Sequence, residues 1–154
     1  MTRFSLVATG GTFDIIHRGH LALLGTAFAM SEKVIIGLTS DEFAARMGKT
    51  TSNTYGQRLD NLRTAISKEF PDSSYRIAKL DNDFGPAVLE SAVQALVVSE
   101  ETSRQGNVLN GMRSKRGIAP ARIITVPMRL ARDGTRISTT RIKNSEIDTE
   151  GDFV

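Results

Sequence analysis

The chain contains no cysteine, which excludes disulfides, cysteine-rich zinc sites and thiol chemistry together. It also has no apolar run approaching the roughly 20 residues that a membrane span requires, so no membrane partner is expected. The opening residues, Met1 to Leu6, show no basic segment leading into a long apolar stretch with a small-residue cleavage site. A cytoplasmic protein is the resulting expectation. Charge of one sign is scarce as well. Twenty Lys and Arg against 17 Asp and Glu leave a formal net charge of +3, and nucleic-acid surfaces usually carry a stronger single-sign patch. No nucleic-acid partner is expected. The basic residues are spread along the chain, with a denser run from Arg113 to Arg141. Small anionic ligands account for the excess, and on composition alone so does a solvated surface that happens to be basic.

What is present suits one soluble globular domain over residues 1–154. The length allows a core without staples, and 40% hydrophobic with 24% charged residues is ordinary for that class. Short apolar runs alternate with helical patterns. Phe4 to Ala8 reads as a first strand, closed by the turn signal Thr9-Gly10-Gly11-Thr12. From Gly19 to Met30, Leu21, Leu24, Ala27 and Phe28 share one face at helical spacing. Lys33 to Leu38 is a second strand, apolar enough for burial on both faces. Thr39 with Glu42 has capping-box spacing and predicts a short helix.

Thr54 with Gln57 repeats that spacing and opens a longer helix, with Leu59, Leu62, Ala65 and Ile66 as its buried stripe and Pro71 as its stop. Tyr75 to Leu80 is a third strand. Pro86 suits the first turn of a helix over Ala87 to Val93. Leu96 to Ser99 is a fourth strand, and Thr102 with Gln105 opens a helix toward Arg113. Arg122 to Val126 is a fifth strand, ended by Pro127. Asp133-Gly134 marks a loop before a last short helix from about Ser138. Repeated βα units of this length predict an α/β, Rossmann-like, doubly wound domain with a five-stranded parallel sheet. Ligands of such sheets bind beyond the carboxyl ends of the strands, where the strand order switches. The loops selected are Thr9 to His20, Ser99 to Arg104 and Pro127 to Arg141.

Those loops hold the least ordinary residues. Both histidines of the chain, His17 and His20, lie in His17-Arg18-Gly19-His20, where the first loop becomes a helix. A helix N-terminus has unpaired N–H groups and the positive dipole end, and attracts phosphate. Imidazoles there donate to phosphate oxygens, while Gly10, Gly11 and Gly19 let backbone approach a ligand. Histidines at i and i+3 could share a metal with Asp14, but without cysteine the donor set is poor and no metal site is expected. The second unusual element is Arg136-Ile137-Ser138-Thr139-Thr140-Arg141. One hydroxyl would serve as an N-cap. Three between two arginines make a cradle for a polyphosphate tail.

Gly11-Thr12-Phe13-Asp14 followed by His17-Arg18-Gly19-His20 resembles the signature of the HxGH nucleotidyltransferase superfamily. Ile137-Ser138-Thr139-Thr140 resembles its second signature, the ISxx phosphate motif. The opening Ala8 to Asp14, the stretch Val97-Val98-Ser99-Glu100-Glu101-Thr102 and the ending Ile137 to Gly151 are similar to the archaeal and eukaryotic phosphopantetheine adenylyltransferases. The resemblance covers nearly the whole chain. It implies transfer of AMP from ATP to 4′-phosphopantetheine, yielding dephospho-coenzyme A and pyrophosphate in coenzyme A synthesis.

By that resemblance, His20 stabilises the transition state at the α-phosphate and His17 supports the triphosphate. Gly11, Thr12 and Phe13 supply nucleotide contacts, and Thr12 also meets the acceptor. Arg136, Ile137, Ser138, Thr139 and Thr140 hold the β- and γ-phosphates. Lys49, after strand two, is the expected acceptor-phosphate contact; a solvated loop lysine is the plain alternative. Arg104 and Arg113 are basic candidates after strand four, and Arg113 could equally be a helix C-terminal charge. Asp14 is expected to hold its loop by capping N–H groups. Mg²⁺ is expected to arrive with ATP, held mainly by phosphate oxygens and water.

Other members of the superfamily share the catalytic residues: glycerol-3-phosphate cytidylyltransferases, FAD synthetases and nicotinamide-mononucleotide adenylyltransferases. The segments after strand four and at the C-terminus favour the pantetheine enzyme, and the lack of tryptophan weighs against the cytidylyltransferases. A non-catalytic nucleotide- or RNA-binding module is the alternative of another class. It would not need both histidines and the hydroxyl triplet.

Overall fold

The computed structural model describes residues 4–82, 85, 92–100 and 104–127. Each apolar run becomes a strand: β1 (Phe4–Gly11), β2 (Ser31–Thr39), β3 (Tyr75–Leu80), β4 (Ala95–Ser99) and β5 (Arg122–Val126). The helices are α1 (Arg18–Ala29), α2 (Asp41–Arg46), α3 (Tyr55–Glu69) and α4 (Arg104–Lys115). Among the described residues the strands form one five-stranded sheet in the order β3-β2-β1-β4-β5. Every neighbouring pair is parallel. This is the expected α/β, Rossmann-like architecture.

The sheet is buried on both faces, which is why β2 reads as a continuous apolar run rather than an alternating one. On one face Val7, Val34, Ile36, Ala95 and Val97 pack with Leu24 and Ala27 of α1 and Leu62 and Ile66 of α3. On the other, Ala8, Ile35, Leu96 and Val98 pack with Leu109 of α4. Among the described residues no helix is long and apolar enough to cross a membrane.

The structure corrects two local expectations. β1 does not end at Ala8. It continues through Gly10 and Gly11, which pair with Gly37 and Leu38 of β2. A partner strand that reaches Thr39 offers ladder bonds, and these outweigh the local preference of two glycines for a turn. Nor does Thr39 cap α2. Its hydroxyl donates to the Gly11 carbonyl at 3.2 Å, and the cap passes to Ser40, whose hydroxyl accepts from the Phe43 N–H at 3.0 Å. The helix expected from Pro86 falls outside the described residues apart from Ala92 and Val93, which are not helical. The cap expected at Thr102 and the last helix from Ser138 also lie outside them.

Candidate active site

The order of strands reverses between β1 and β4, and the sheet opens there. β1 pairs with β2 as far as Gly11 and Leu38. With β4 it pairs only at Val7–Ala95 and Ala8–Leu96. One residue further on, the Thr9 hydroxyl donates to the Val97 carbonyl at 2.9 Å. Beyond that bond the carboxyl ends of β1 and β4 share no ladder, which creates the crevice expected at a switch point.

The loop entering this crevice is built around Phe13 and the two histidines. Phe13 has φ +48°, a left-handed conformation that costs a non-glycine residue about 1–2 kcal/mol. In exchange its ring turns into the core, where it is 1% exposed. That ring lies 4.9 Å from the ring of His20, which in turn stacks on His17 at 3.9 Å and 24°. The stack caps α1. His17 Nδ1 accepts from the Gly19 N–H at 3.1 Å, and His20 Nδ1 accepts from the His17 N–H at 3.2 Å. The histidines therefore serve the backbone through Nδ1, a use not anticipated from the sequence. With Nδ1 accepting, the proton of each neutral ring sits on Nε2. Gly19 is shaped by the same stack. A Cβ there would lie 2.9 Å from His17 Cε1, so its smallness makes room for the imidazole.

Burial drives the His17 pKa from 6.5 down to about 4. Burial, then the neighbouring charge of His17, pulls His20 down to about 3, against a hydrogen bond with the Ile15 backbone that raises it. Both rings are neutral at physiological pH and lie at the positive end of the α1 dipole.

The loop after β2 meets the signature loop at Thr12 and Asp14. α2 ends in a Schellman turn: Gly48 has φ +74°, its N–H donates to the Ala45 carbonyl, and the Lys49 N–H donates to the Ala44 carbonyl. The turn projects Lys49 toward the signature loop, where its Nζ donates to Thr12 Oγ1 at 3.2 Å. Asp14, expected to hold its own loop by capping N–H groups, caps those of the Lys49 loop. Its carboxylate accepts from the N–H groups of Ser52 and Asn53 at 2.8 and 3.0 Å, and from Asn53 Nδ2 at 3.2 Å.

The structure thus brings Gly11, Thr12, Phe13, His17, His20 and Lys49 to one end of the sheet. Arg113 lies elsewhere. It is 1% exposed, and it donates to the carbonyls of Ala119 and Val93 at 2.8 and 3.0 Å. Those carbonyls precede β5 and β4, so Arg113 locks the amino-terminal edge of the sheet, opposite the crevice. The candidate role beside the ligand is corrected accordingly. Arg104 begins α4, with its side chain outside the described residues. Arg136, Ile137, Ser138, Thr139 and Thr140 also lie outside them. Sequence reasoning missed Arg58 and Asn53, which grip the signature loop from α3 and its approach. The available signal was spacing: Arg58 stands one turn before Leu62 on the buried side of α3.

Residues 8–145 match the model of the cytidylyltransferase-like family. The chain is 42% identical over 152 residues to a phosphopantetheine adenylyltransferase of Methanothermobacter thermautotrophicus, covering 99% of this chain and 91% of the relative. It is 33% identical to that of Methanopyrus kandleri, covering 96% and 94%. A solved structure from Archaeoglobus fulgidus, described as a protein with unknown function, superposes with a TM-score of 0.69 at 29% identity. It covers 79% of this chain and 97% of that one.

Proposed function

The chain belongs to the cytidylyltransferase-like family, among its phosphopantetheine adenylyltransferases, and on that premise we propose how its site transfers AMP from ATP to 4′-phosphopantetheine. The observation that carries the proposal is the pair of neutral imidazoles stacked at the start of α1, beside the Lys49–Thr12 contact.

The nucleophile is a phosphate monoester with a second pKa of about 6, so it is largely dianionic at neutral pH. No general base is required. The difficulty is that two anions must meet in line while charge spreads over the α-phosphoryl group. Positioning and preorganised donors solve it. Lys49 and Thr12 hold the attacking phosphate. His20 donates from Nε2 to the α-phosphoryl oxygens as the new P–O bond forms and the bond to pyrophosphate breaks. His17 supports the triphosphate on the departing side. Arg136, Ile137, Ser138, Thr139 and Thr140 take the β- and γ-phosphates.

The donor set fits anionic oxygens better than a metal. Among the described residues no group of three acids or histidines is placed to hold an ion, and Asp14 is already engaged by Ser52 and Asn53. Mg²⁺ would therefore be carried by the triphosphate and water, where it neutralises phosphate charge.

The test is pyrophosphate release with ATP, Mg²⁺ and 4′-phosphopantetheine. His20→Ala should lower kcat by about two to three decades, the cost of one transition-state donor. Lys49→Ala should raise the KM for 4′-phosphopantetheine more than that for ATP. Parental kcat in His20→Ala would remove the role given to that ring, and a preference for CTP would remove adenylyl transfer.

A further inference from the structure

Burying an arginine is costly unless its donors are satisfied, and Arg58 is 0% exposed. Nη1 donates to the carbonyls of Thr12 and Thr39, both at 2.8 Å. Nη2 donates to Asp41 Oδ1 at 2.8 Å, and Nε to the Asn53 carbonyl at 3.2 Å. These acceptors belong to four segments: the signature loop, the end of β2, the start of α2 and the stretch between Lys49 and α3. Packing alone does not call for a guanidinium at this position. Leu62 and Ile66 fill the next two turns of the same buried side with hydrocarbon.

The segment it grips is the one that seats the histidine stack. Thr12 precedes Phe13, whose left-handed backbone and buried ring set the floor under His20. On the other side of Phe13, Asn53 Nδ2 donates to the Asp14 carbonyl at 2.8 Å and to its carboxylate at 3.2 Å. The disfavoured residue is therefore clamped at both neighbours, residue 12 by Arg58 and residue 14 by Asn53, whose own carbonyl Arg58 takes.

We propose that Arg58, acting with Asn53, is a positioning residue of the transfer reaction. It holds the Thr12–Asp14 backbone in the shape that seats His20 and keeps Thr12 in reach of Lys49. The inference rests on the site reading given above. A donor that acts on a developing charge is effective only when held within about 0.5 Å of its productive position, and a fork of nitrogens bridging four segments supplies that rigidity.

Arg58→Lys tests it, because lysine keeps the charge but offers one nitrogen in place of three. Steady-state kinetics are measured in the parent and in the His20→Ala background, with melting curves for each protein. In the parent, kcat should fall about 30-fold, within the range that a misplacement of about 1 Å produces. In His20→Ala the same substitution should cost no more than about threefold, since the group being positioned is already gone. The KM for 4′-phosphopantetheine should rise more than that for ATP. A kcat within twofold of the parent, or an equal loss in both backgrounds, would overturn the proposal and leave Arg58 with the fold alone.

Should Arg58→Lys fail to fold, Asn53→Ala goes through the same two backgrounds. It removes the side-chain grip on Asp14 and leaves Arg58 in place. The same non-additivity is expected, and additive losses overturn the proposal. Parental kcat in His20→Ala alone would overturn the role of His20, and the proposal with it. That failure is distinguishable because it needs no Arg58 variant.

Discussion

An imidazole that caps a helix through Nδ1 loses that bond when the nitrogen takes a proton. His17 and His20 both cap α1 this way, so the start of the helix is sensitive to acid. In the unfolded chain each ring takes its proton near 6.5, whereas in the fold His17 waits until about 4 and His20 until about 3. Between those limits the unfolded state binds more protons, so stability is full above 6.5 and is lost as pH falls toward 4 and 3. Each ring contributes a slope of at most about 1.4 kcal/mol per pH unit. Asparagine is a strong N-cap that does not titrate. His17→Asn should therefore melt close to the parent at pH 8 and fall less steeply between pH 6.5 and 4.5. Parallel slopes in a pH series of melting curves would remove this account. The same two rings, held neutral with Nε2 carrying the proton, are the donors proposed for phosphate.

At the scale of elements, caps decide where helices begin. α3 opens on the box foreseen in the sequence: Thr54 Oγ1 accepts from the Gln57 N–H at 3.3 Å, and Gln57 Oε1 accepts from the Thr54 N–H at 2.9 Å. Thr54→Ala should destabilise the protein by about 1 kcal/mol, lowering the urea midpoint with an unchanged m value. α2 shows where the same reasoning fails. Thr39 and Ser40 are adjacent candidates, and the choice depends on whether Thr39 already serves the sheet. It does, through Gly11, a residue 28 positions away. The buried side of α3 shows a related failure. Leu59, Leu62, Ala65 and Ile66 form an apolar stripe, but the helix turns by about one residue, so Arg58, Leu62 and Ile66 are buried while Leu59 and Ala65 are half-buried. Charged residues normally face water, and the three carbonyls and the Asp41 carboxylate that take Arg58 reverse that rule.

Across the whole molecule the two ends of the sheet do different work. The carboxyl end gathers the signature loop, Lys49 and the buried grip of Arg58. The amino end is closed by Arg113, whose burial pulls its pKa below the ordinary guanidinium value. Asn110 stands beside it, exchanging two hydrogen bonds with the Ala121 backbone. Arg113→Met fills the volume but leaves the Val93 and Ala119 carbonyls without their donor. It should lower unfolding stability by about 2 kcal/mol or more. Because the crevice lies at the opposite edge, KM for both substrates should stay at parental values wherever the variant is folded. A selective rise in either KM would return Arg113 to the site.

By itself the sequence determined the alternation of strands and helices, the parallel sheet, the box at Thr54 and Gln57, and the loop that carries His17 and His20. Such signals are short-range, set by the periods of strand and helix and by hydrogen bonds within about four residues. The tertiary structure alone decided the rest. It extended β1 to Gly11, joined Asp14 to Ser52 across 38 residues, brought Lys49 to Thr12 across 37, and sent Arg113 to the far edge. These contacts depend on which strand ends become neighbours, and a buried donor or acceptor then takes whichever partner the sheet brings within reach.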